Sequence, residues 1–527
     1  MKILISDKLA PEGVKILKDE PSFQVDCKEG LPPDELKKII GAYDALIIRS
    51  ETNVTADVIG AASRLRVIGR AGVGLDNVDL PAATKKGIVA MNTPGGNTTS
   101  TAEHTMSMIL ALSRNIPQAY MSMKNGKWDR AKFKGVELYG KVLGIIGLGR
   151  IGSTVAKFAR AFGMKVIAHD PFLSSEAAAK KEIEIAAFED LIKTSDYITV
   201  HVPKTDDTKD LIGARQFAMM KKNVRLINCA RGGIINEADL ARALEEKKIA
   251  GCALDVFDNE PLEADSPLLK LENCVVTPHL GASTSEAQVN VAIEIAETVK
   301  NALLGRGISN AANFPSVDAE TYRALEPYNN LAQRMGKLAG QLIDGGITQV
   351  TINYSGAVNA YKVAPVTLSL VNGLLSPILG DAVNFINALS VAKERSITIQ
   401  EIQSNQQSEF INLISVEVKT DKGPFVVWGT LSGNNQPRIV KINDVYLEAE
   451  PDGHMLIIRN NDKPGLVGAV GTILAEANVN IAGIHLSREA QDGVALSVVK
   501  IDSCADDATL KRLQNTKDVL FIKQIHV

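Results

Sequence analysis

Cysteine is scarce in this 527-residue chain: Cys27, Cys229, Cys252, Cys274 and Cys504 are odd in number, and none forms a C-x-x-C pair. That argues against a disulfide-built scaffold and against the common zinc and dithiol motifs, so no metal site is expected and a reducing, cytoplasmic setting fits. No window holds 18 apolar residues, and the opening MKILISD is a short β-type run without a long apolar stretch behind it. Neither a membrane span nor a signal peptide is expected. Runs of five or six like charges are missing too. With 58 Lys and Arg against 61 Asp and Glu, the net charge is −3, which points away from nucleic acid and anionic membranes as partners. Small molecules are the expected ligands.

What is present is an ordinary globular composition, 45% hydrophobic and 23% charged, in a chain too long for one core. Three or four domains are expected. Through residue 300, short β-rich runs (Lys2 to Ser6, Ala45 to Arg49, Arg66 to Gly69, Val142 to Ile146, Lys165 to Ala168, Tyr197 to Val202, Arg225 to Cys229, Cys252 to Val256, Cys274 to Thr277) alternate with helical stretches. That alternation predicts parallel, doubly wound α/β layers. NTPGGN at 92–97 concentrates turn formers and marks a hinge before a long helix over Ser100 to Arg114. A second helical stretch, Ser283 to Leu304, makes the first unit discontinuous if it packs back onto it. Beyond residue 305 the pattern predicts long helices near Asp318 to Ile343 and Asp381 to Arg395, then antiparallel strands such as Phe425 to Ser432 and Arg438 to Glu448. The last 75 or so residues read strand, helix, strand, an Asp492-Gly493 turn, strand, helix, strand, a ferredoxin-like βαββαβ order.

The clearest chemical signal is GLGRIG, which sets Gly147, Gly149 and Gly152 between a strand and the helical run Ser153 to Phe162. Such a loop turns tightly, admits a pyrophosphate and offers it the free N–H groups of a helix N-terminus. Eighteen residues past Gly152, Asp170 ends the next strand, where a carboxylate accepts ribose hydroxyls and disfavours the extra phosphate of NADP. NAD is therefore the expected cofactor. GRAGVGLD (69–76) and Arg231-Gly232-Gly233 also follow strand-like runs and are expected to line the same crevice.

Removing hydride from an alcohol calls for a proton acceptor and for a cation that holds the neighbouring carboxylate. Candidates stand after successive strands: Arg231 in NCARGG, Glu260 in DVFDNEPL and His279 in TPHLGAS. Arginine binds carboxylates through a planar fork, and histidine titrates near neutrality. A glutamate beside the ring would orient it and favour its protonated form. NCARGGIINEADL, GCALDVFDNEPL, VVTPHLGAS and GLGRIG together resemble the signature segments of the D-2-hydroxyacid dehydrogenases over residues 1–304. The resemblance implies a Rossmann domain (95–283) inserted in a discontinuous flavodoxin-like catalytic or lid domain (1–94 and 284–304). It implies that His279 accepts the C2 hydroxyl proton, Glu260 holds its other nitrogen, and Arg231 clamps the carboxylate with help from the backbone at Val73 and Gly74. On the cofactor side it implies Arg150 and Ile151 at the pyrophosphate, Asp170 at the adenine ribose, and Cys229, Ala230, Arg231, Asp255, His279, Leu280, Gly281 and Ala282 at the nicotinamide end. His104, His169 and His201 are read as structural.

The family leaves the substrate open. Arg49 in ALIIRSET, Arg130 in GKWDRAKF and the stretch GRAGVGLDNVDLPAATKKGIVAMNTPGGN resemble the branch that oxidises 3-phosphoglycerate to 3-phosphooxypyruvate, the first step of L-serine biosynthesis. In that branch the two arginines meet the substrate's phosphate; as bare residues they read equally as solvated surface charges. The tail, with NNDKPGLVGAVGTILAEANVNIAGIHL, resembles an ACT domain (453–527), a module that pairs across subunits and binds amino acids. The resemblance implies L-serine as an effector held by Asn460, Asp462 and Asn480, residues that also serve simply as turn and helix caps. Residues 305–450 resemble the α+β intervening domain of the longer enzymes, and a homotetramer is implied. Two alternatives stay open: a dehydrogenase of another D-2-hydroxy acid, such as 2-hydroxyglutarate or glycerate, and a non-catalytic NAD-sensing binding protein.

Overall fold

The computed structural model describes residues 1–173, 178, 182–315, 319–404, 410–488 and 493–527. The expected turn residue Asp492 and the expected helix start at Asp318 lie outside the described residues.

Five short strands open the chain: β1 (Lys2–Ile5), β2 (Gln24–Cys27), β3 (Ala45–Ile48), β4 (Val67–Arg70) and β5 (Val89–Met91). They pair in parallel in the order β2-β1-β3-β4-β5, a flavodoxin-like sheet. Ile3, Leu4, Ile5 and Ala45 to Ile48 are buried on both faces, as continuous apolar runs must be when helices cover a parallel sheet on both sides. One covering helix comes from far along the chain. Ser285–Leu303 lays Val291, Ala292, Ile295, Ala296 and Val299 against Ile3, Ile5, Ile47 and Val67, and its N-terminus is capped by Thr284, whose hydroxyl accepts from the Ala287 N–H.

The intervening stretch builds a second parallel sheet from β6 (Val142–Ile146), β7 (Lys165–His169), β8 (Glu184–Ile185), β9 (Tyr197–Val200), β10 (Arg225–Asn228), β11 (Gly251–Leu254) and β12 (Cys274–Val276). Its order, β12-β11-β10-β9-β6-β7-β8, reverses direction between β6 and β9. That reversal opens a crevice at the carboxyl ends of the strands, the place where α/β sheets bind ligands. The helix Thr98–Arg114 joins this second core through Ala102, Met106, Ile109 and Leu112.

The third unit packs helices Ala319–Leu342 and Ala364–Leu379 on a mixed sheet of β13 (Ile347–Gly356), β14 (Thr398–Ser404), β15 (Asn412–Thr420), β16 (Gly423–Ser432), β17 (Gln436–Ile442) and β18 (Val445–Ala449), ordered β14-β13-β15-β16-β17-β18. Two expectations fail here. The long helix is Ala364–Leu379, while 381–395 forms only the short helix Ala388–Glu394. Ala364–Leu379 is buried from Pro365 through Leu375, Thr367, Ser369 and Asn372 included, so it is buried all round and lacks the one-sided 3.6-residue pattern that betrays a surface helix. The run Arg438 to Glu448 is not one strand either: Asn443, in the left-handed conformation at φ 49°, folds it into the β17–β18 hairpin.

The last unit has the order β19 (His454–Asn461), helix Leu466–Glu476, β20 (Ile481–Arg488), β21 (Val494–Ile501), helix Asp507–Gln514, β22 (Val519–His526). Its sheet, β20-β21-β19-β22, is wholly antiparallel. Among the described residues no helix is long and apolar enough to cross a membrane, and no group of three or more His, Cys, Asp or Glu is placed to hold a metal ion.

Candidate active site

The carboxyl ends of β11 and β12 carry a dense polar cluster. Asp255, just past β11, is fully buried and receives four donors: Thr277 Oγ1 at 2.6 Å, the Leu280 N–H at 2.7 Å, the Gly281 N–H at 2.8 Å and His104 Nε2 at 3.1 Å. Burial alone would raise its carboxyl, but the hydrogen bonds from His104, Thr277 and Leu280 outweigh burial and hold it below the usual carboxylate range. Those bonds tie down the turn that carries His279, whose own backbone is left-handed at φ 54° and whose N–H donates to the Asp255 carbonyl. His279 Nδ1 meets Glu260 Oε2 at 2.7 Å, and the second Glu260 oxygen accepts from the Phe257 N–H at 3.0 Å. The glutamate is thus fixed by backbone on one side and by the imidazole on the other. His279 Nε2 has no intramolecular partner among the described residues.

This pair edges a cavity of about 620 Å³ between the two α/β units. Arg231 enters from the loop after β10. Asn228 shapes that loop by accepting from the Ala230 N–H and donating to the Arg231 carbonyl. Arg231 Nη1 donates to the Ala230 carbonyl at 2.7 Å, and Nε meets Asp76 Oδ2 at 3.1 Å. From the opposite unit come Arg49, Arg70 and the backbone of Val73 and Gly74. Arg70, mostly buried, donates to the carbonyls of Arg49 and Gly74. Burial and the facing charge of Arg231 pull its pKa below the usual arginine range. A cleft that gathers three arginines and a histidine–glutamate pair is built for an anionic substrate that gives up or takes a proton.

Beside it, the dinucleotide loop has the form that a pyrophosphate requires. Gly147 has φ 94°, a left-handed conformation closed to most side chains, and a Cβ on Gly152 would collide with the Gly147 carbonyl. Gly149 faces open space, and no side chain caps the helix Arg150–Ala161, so its first N–H groups are available to an anion. Asp170, just past β7, leans toward the loop: its Oδ2 accepts from the Leu148 N–H and its Oδ1 from the Phe172 N–H, both at 2.9 Å. This donor set fits a dinucleotide. Arg150 and Ile151 start the helix, while Ala282 and Ser283 line the cavity. Cys229 is buried, and burial together with the nearby Asp255 charge pushes its thiol up to about 12, so it stays a neutral thiol at physiological pH.

Some expected residues are not brought together. Arg130 lies exposed in the short helix Arg130–Phe133 and does not line the cavity. Asn460 and Asp462 lie at the carboxyl end of β19, whereas Asn480 precedes β20. The pairings Asn461 with Val494 and His454 with Ile501, and Arg488 with Ala495 and Ile481 with Ile501, put Asn480 at the other end of the sheet. Each also has a local tie: Asp462 accepts from Arg488, Asn480 donates to Asp502, and Asn460 donates to the Asn461 carbonyl. His169 meets the Ala186 carbonyl, and His201 is half-buried against Thr199. Arg70, Asp76, Asn228, Lys204 and the His104 contact escaped the reading of the sequence. Arg70 and Asp76 lie within GRAGVGLD, a stretch expected to line the crevice but with roles given only to the backbone of Val73 and Gly74.

Residues 106–281 match the NAD binding domain of the D-isomer specific 2-hydroxyacid dehydrogenases, and fold and site together define an oxidoreductase of that class. Residues 324–443 match the D-3-phosphoglycerate dehydrogenase intervening domain and 454–518 the ACT domain. The chain is 42% identical to the D-3-phosphoglycerate dehydrogenase of Archaeoglobus fulgidus over 522 residues, and 42% identical to that of Bacillus subtilis over 525, with 99% of each chain covered in both cases. Among solved structures, the D-lactate dehydrogenase of Aquifex aeolicus complexed with NAD and lactic acid is 30% identical at a TM-score of 0.51, covering 58% of this chain and 96% of that one. The chain belongs to the D-3-phosphoglycerate dehydrogenase family.

Proposed function

We propose that this protein oxidises 3-phospho-D-glycerate to 3-phosphooxypyruvate with NAD, opening L-serine biosynthesis in the cytoplasm. The observation that carries the reading is the convergence of Arg49, Arg70, Arg231 and the His279–Glu260 pair on one cavity beside the glycine loop. NAD, when bound, supplies the acceptor for the hydride from C2. Its pyrophosphate is assigned to the Gly147–Gly152 loop with Arg150 and Ile151, its adenine ribose to Asp170, and its nicotinamide end to Cys229, Ala230, Arg231, Asp255 and His279 to Ala282. His279 Nε2, the ring nitrogen that Glu260 leaves free, takes the C2 hydroxyl proton, and Glu260 stabilises the imidazolium that forms. Arg231 and the Val73 and Gly74 N–H groups hold the carboxylate, keeping the hydroxyl in line with the histidine. Arg49 takes the phosphate.

Assembly into a homo-oligomer, with a tetramer as the expected count, is supported by exposed apolar side chains on one segment: Ile116, Tyr120, Met121, Met123 and Trp128, the last 79% exposed. Arg130 follows directly, so its role at a phosphate requires delivery to a second copy. An apolar hollow formed by Phe257, Pro261, Leu262, Leu269, Val276 and Pro278 behind His279 offers a seat for an apolar side chain such as Trp128 of that copy. The ACT match supports an effector site for L-serine, and the separation of Asn480 from Asn460 and Asp462 means that the three meet only between copies. Light scattering on the parent and on Trp128→Ser tests the assembly, with a smaller particle expected for the variant. The activity is tested by NADH formation in the parent and in His279→Ala, where loss of turnover is expected.

A further inference from the structure

We infer that His104 is a positioning residue for His279, acting through Asp255. The inference rests on the reading of His279 as the proton acceptor and names what holds that residue in place. His279 stands in a left-handed backbone conformation, costly for a residue with a Cβ unless its surroundings enforce it. The enforcing group is the buried Asp255 carboxylate, which takes the N–H groups of the two residues that follow, Leu280 and Gly281. Two side chains also meet this carboxylate and fix its position.

The Thr277 hydroxyl donates to Oδ1 from just past β12, and His104 Nε2 reaches the same oxygen at 3.1 Å from the helix Thr98–Arg114, also standing 3.3 Å from Thr277 Oγ1. His104 is the only one of the donors that belongs to neither β11 nor the turn after β12, so it ties the turn to a different element. Thr101, one turn earlier on that helix, donates to the Gly281 carbonyl at 3.2 Å and anchors the far side of the same turn. The helix therefore grips the catalytic turn twice, once by the Thr101 hydroxyl at the Gly281 carbonyl and once by His104 at Asp255. Without His104, Asp255 keeps its place in the sequence but loses its lateral tether, and the turn gains freedom to carry His279 away from line with the substrate hydroxyl. A displacement of that kind costs rate more than binding.

The test uses the full-length chain and two variants. His104→Leu keeps apolar bulk on the helix and removes the donor; His104→Gln restores an amide N–H donor at comparable reach. In hydrogen exchange without cofactor or substrate, His104→Leu is expected to speed exchange of the Leu280 and Gly281 amides by about tenfold, with the Gln variant close to the parent. In turnover, His104→Leu is expected to lower kcat by about tenfold with KM for the hydroxy acid little changed, and His104→Gln to recover most of it. Parent-like exchange at Leu280 and Gly281 in His104→Leu would overturn the inference, as would a Gln variant as impaired as the Leu one. The exchange measurement needs no catalysis, so it stands even if His279→Ala shows that another group accepts the proton.

Discussion

Residues 1–304 and 453–527 both carry candidate ligand residues at the ends of strands, yet only the first region gathers them. In the parallel sheet β6–β12 every carboxyl end faces the same crevice, so motifs that simply follow successive strands, at Gly147, Asp170, Arg231, Asp255 and His279, arrive at one place. In the antiparallel sheet of the last unit, strand ends alternate, and Asn460 and Asn480 lie at opposite ends of the strands. Spacing along the chain therefore predicts a site in the first topology and fails to predict one in the second. A site in the second region needs another copy.

The largest effect expected on this contrast is at His279. His279→Ala should lower kcat by about a thousandfold with NAD affinity retained, read as NADH formation and as cofactor fluorescence titration. If turnover survives at parental level, convergence at the crevice is not catalytic and the first region loses its special status. Next comes Arg49, which enters the cavity from the lid unit. Arg49→Ala should raise KM for 3-phosphoglycerate by about tenfold while leaving turnover of D-glycerate as it was, since only the former has a phosphate to lose a charge-assisted bond.

A third prediction concerns stability. His201, just past β9, is half-buried with its Nδ1 unpartnered, and this burial lowers its pKa from 6.5 to about 4. The unfolded chain therefore takes up this proton first, so stability is lost as pH falls from 6.5 through about 4, by on the order of 3 kcal/mol in total. Replacing it by glutamine should leave melting at pH 7.5 nearly unchanged and shrink the drop in Tm between pH 7 and pH 4.5. An equal drop in both proteins would mean that His201 is already charged in the folded state. The smallest effect on catalysis is expected at Asn480. Asn480→Ala should abolish L-serine binding in calorimetry while turnover without serine stays at parental level. Unchanged serine binding would remove Asn480 from any effector site.

How much of this was legible beforehand follows the same physical line. The parallel units announce themselves through apolar runs alternating with helical stretches, and the His279–Glu260 pair is found because each residue follows its own strand. What stayed hidden depends on contacts between elements distant in sequence. The His104 contact with Asp255 spans the helix Thr98–Arg114 and the β11 loop, and nothing near His104 in the sequence marks it. Arg70 is concealed by its glycine neighbours, and Asn228 works only because the loop folds back on it. In the third unit, Ala364–Leu379 is buried all round and shows no one-sided period, and the β17–β18 hairpin turns at an Asn443-Asp444 pair with no glycine to flag it. Separation of the effector residues follows from register, which composition does not encode.

The most direct test of the central claim is the initial rate of NADH formation at alkaline pH with NAD and 3-phosphoglycerate, run beside D-lactate, D-glycerate and D-2-hydroxyglutarate. Three arginines around one cavity predict a strong preference for 3-phosphoglycerate in kcat/KM. Preference for an unphosphorylated acid would keep the fold and the proton acceptor but contradict the assignment of Arg49 and the substrate with it.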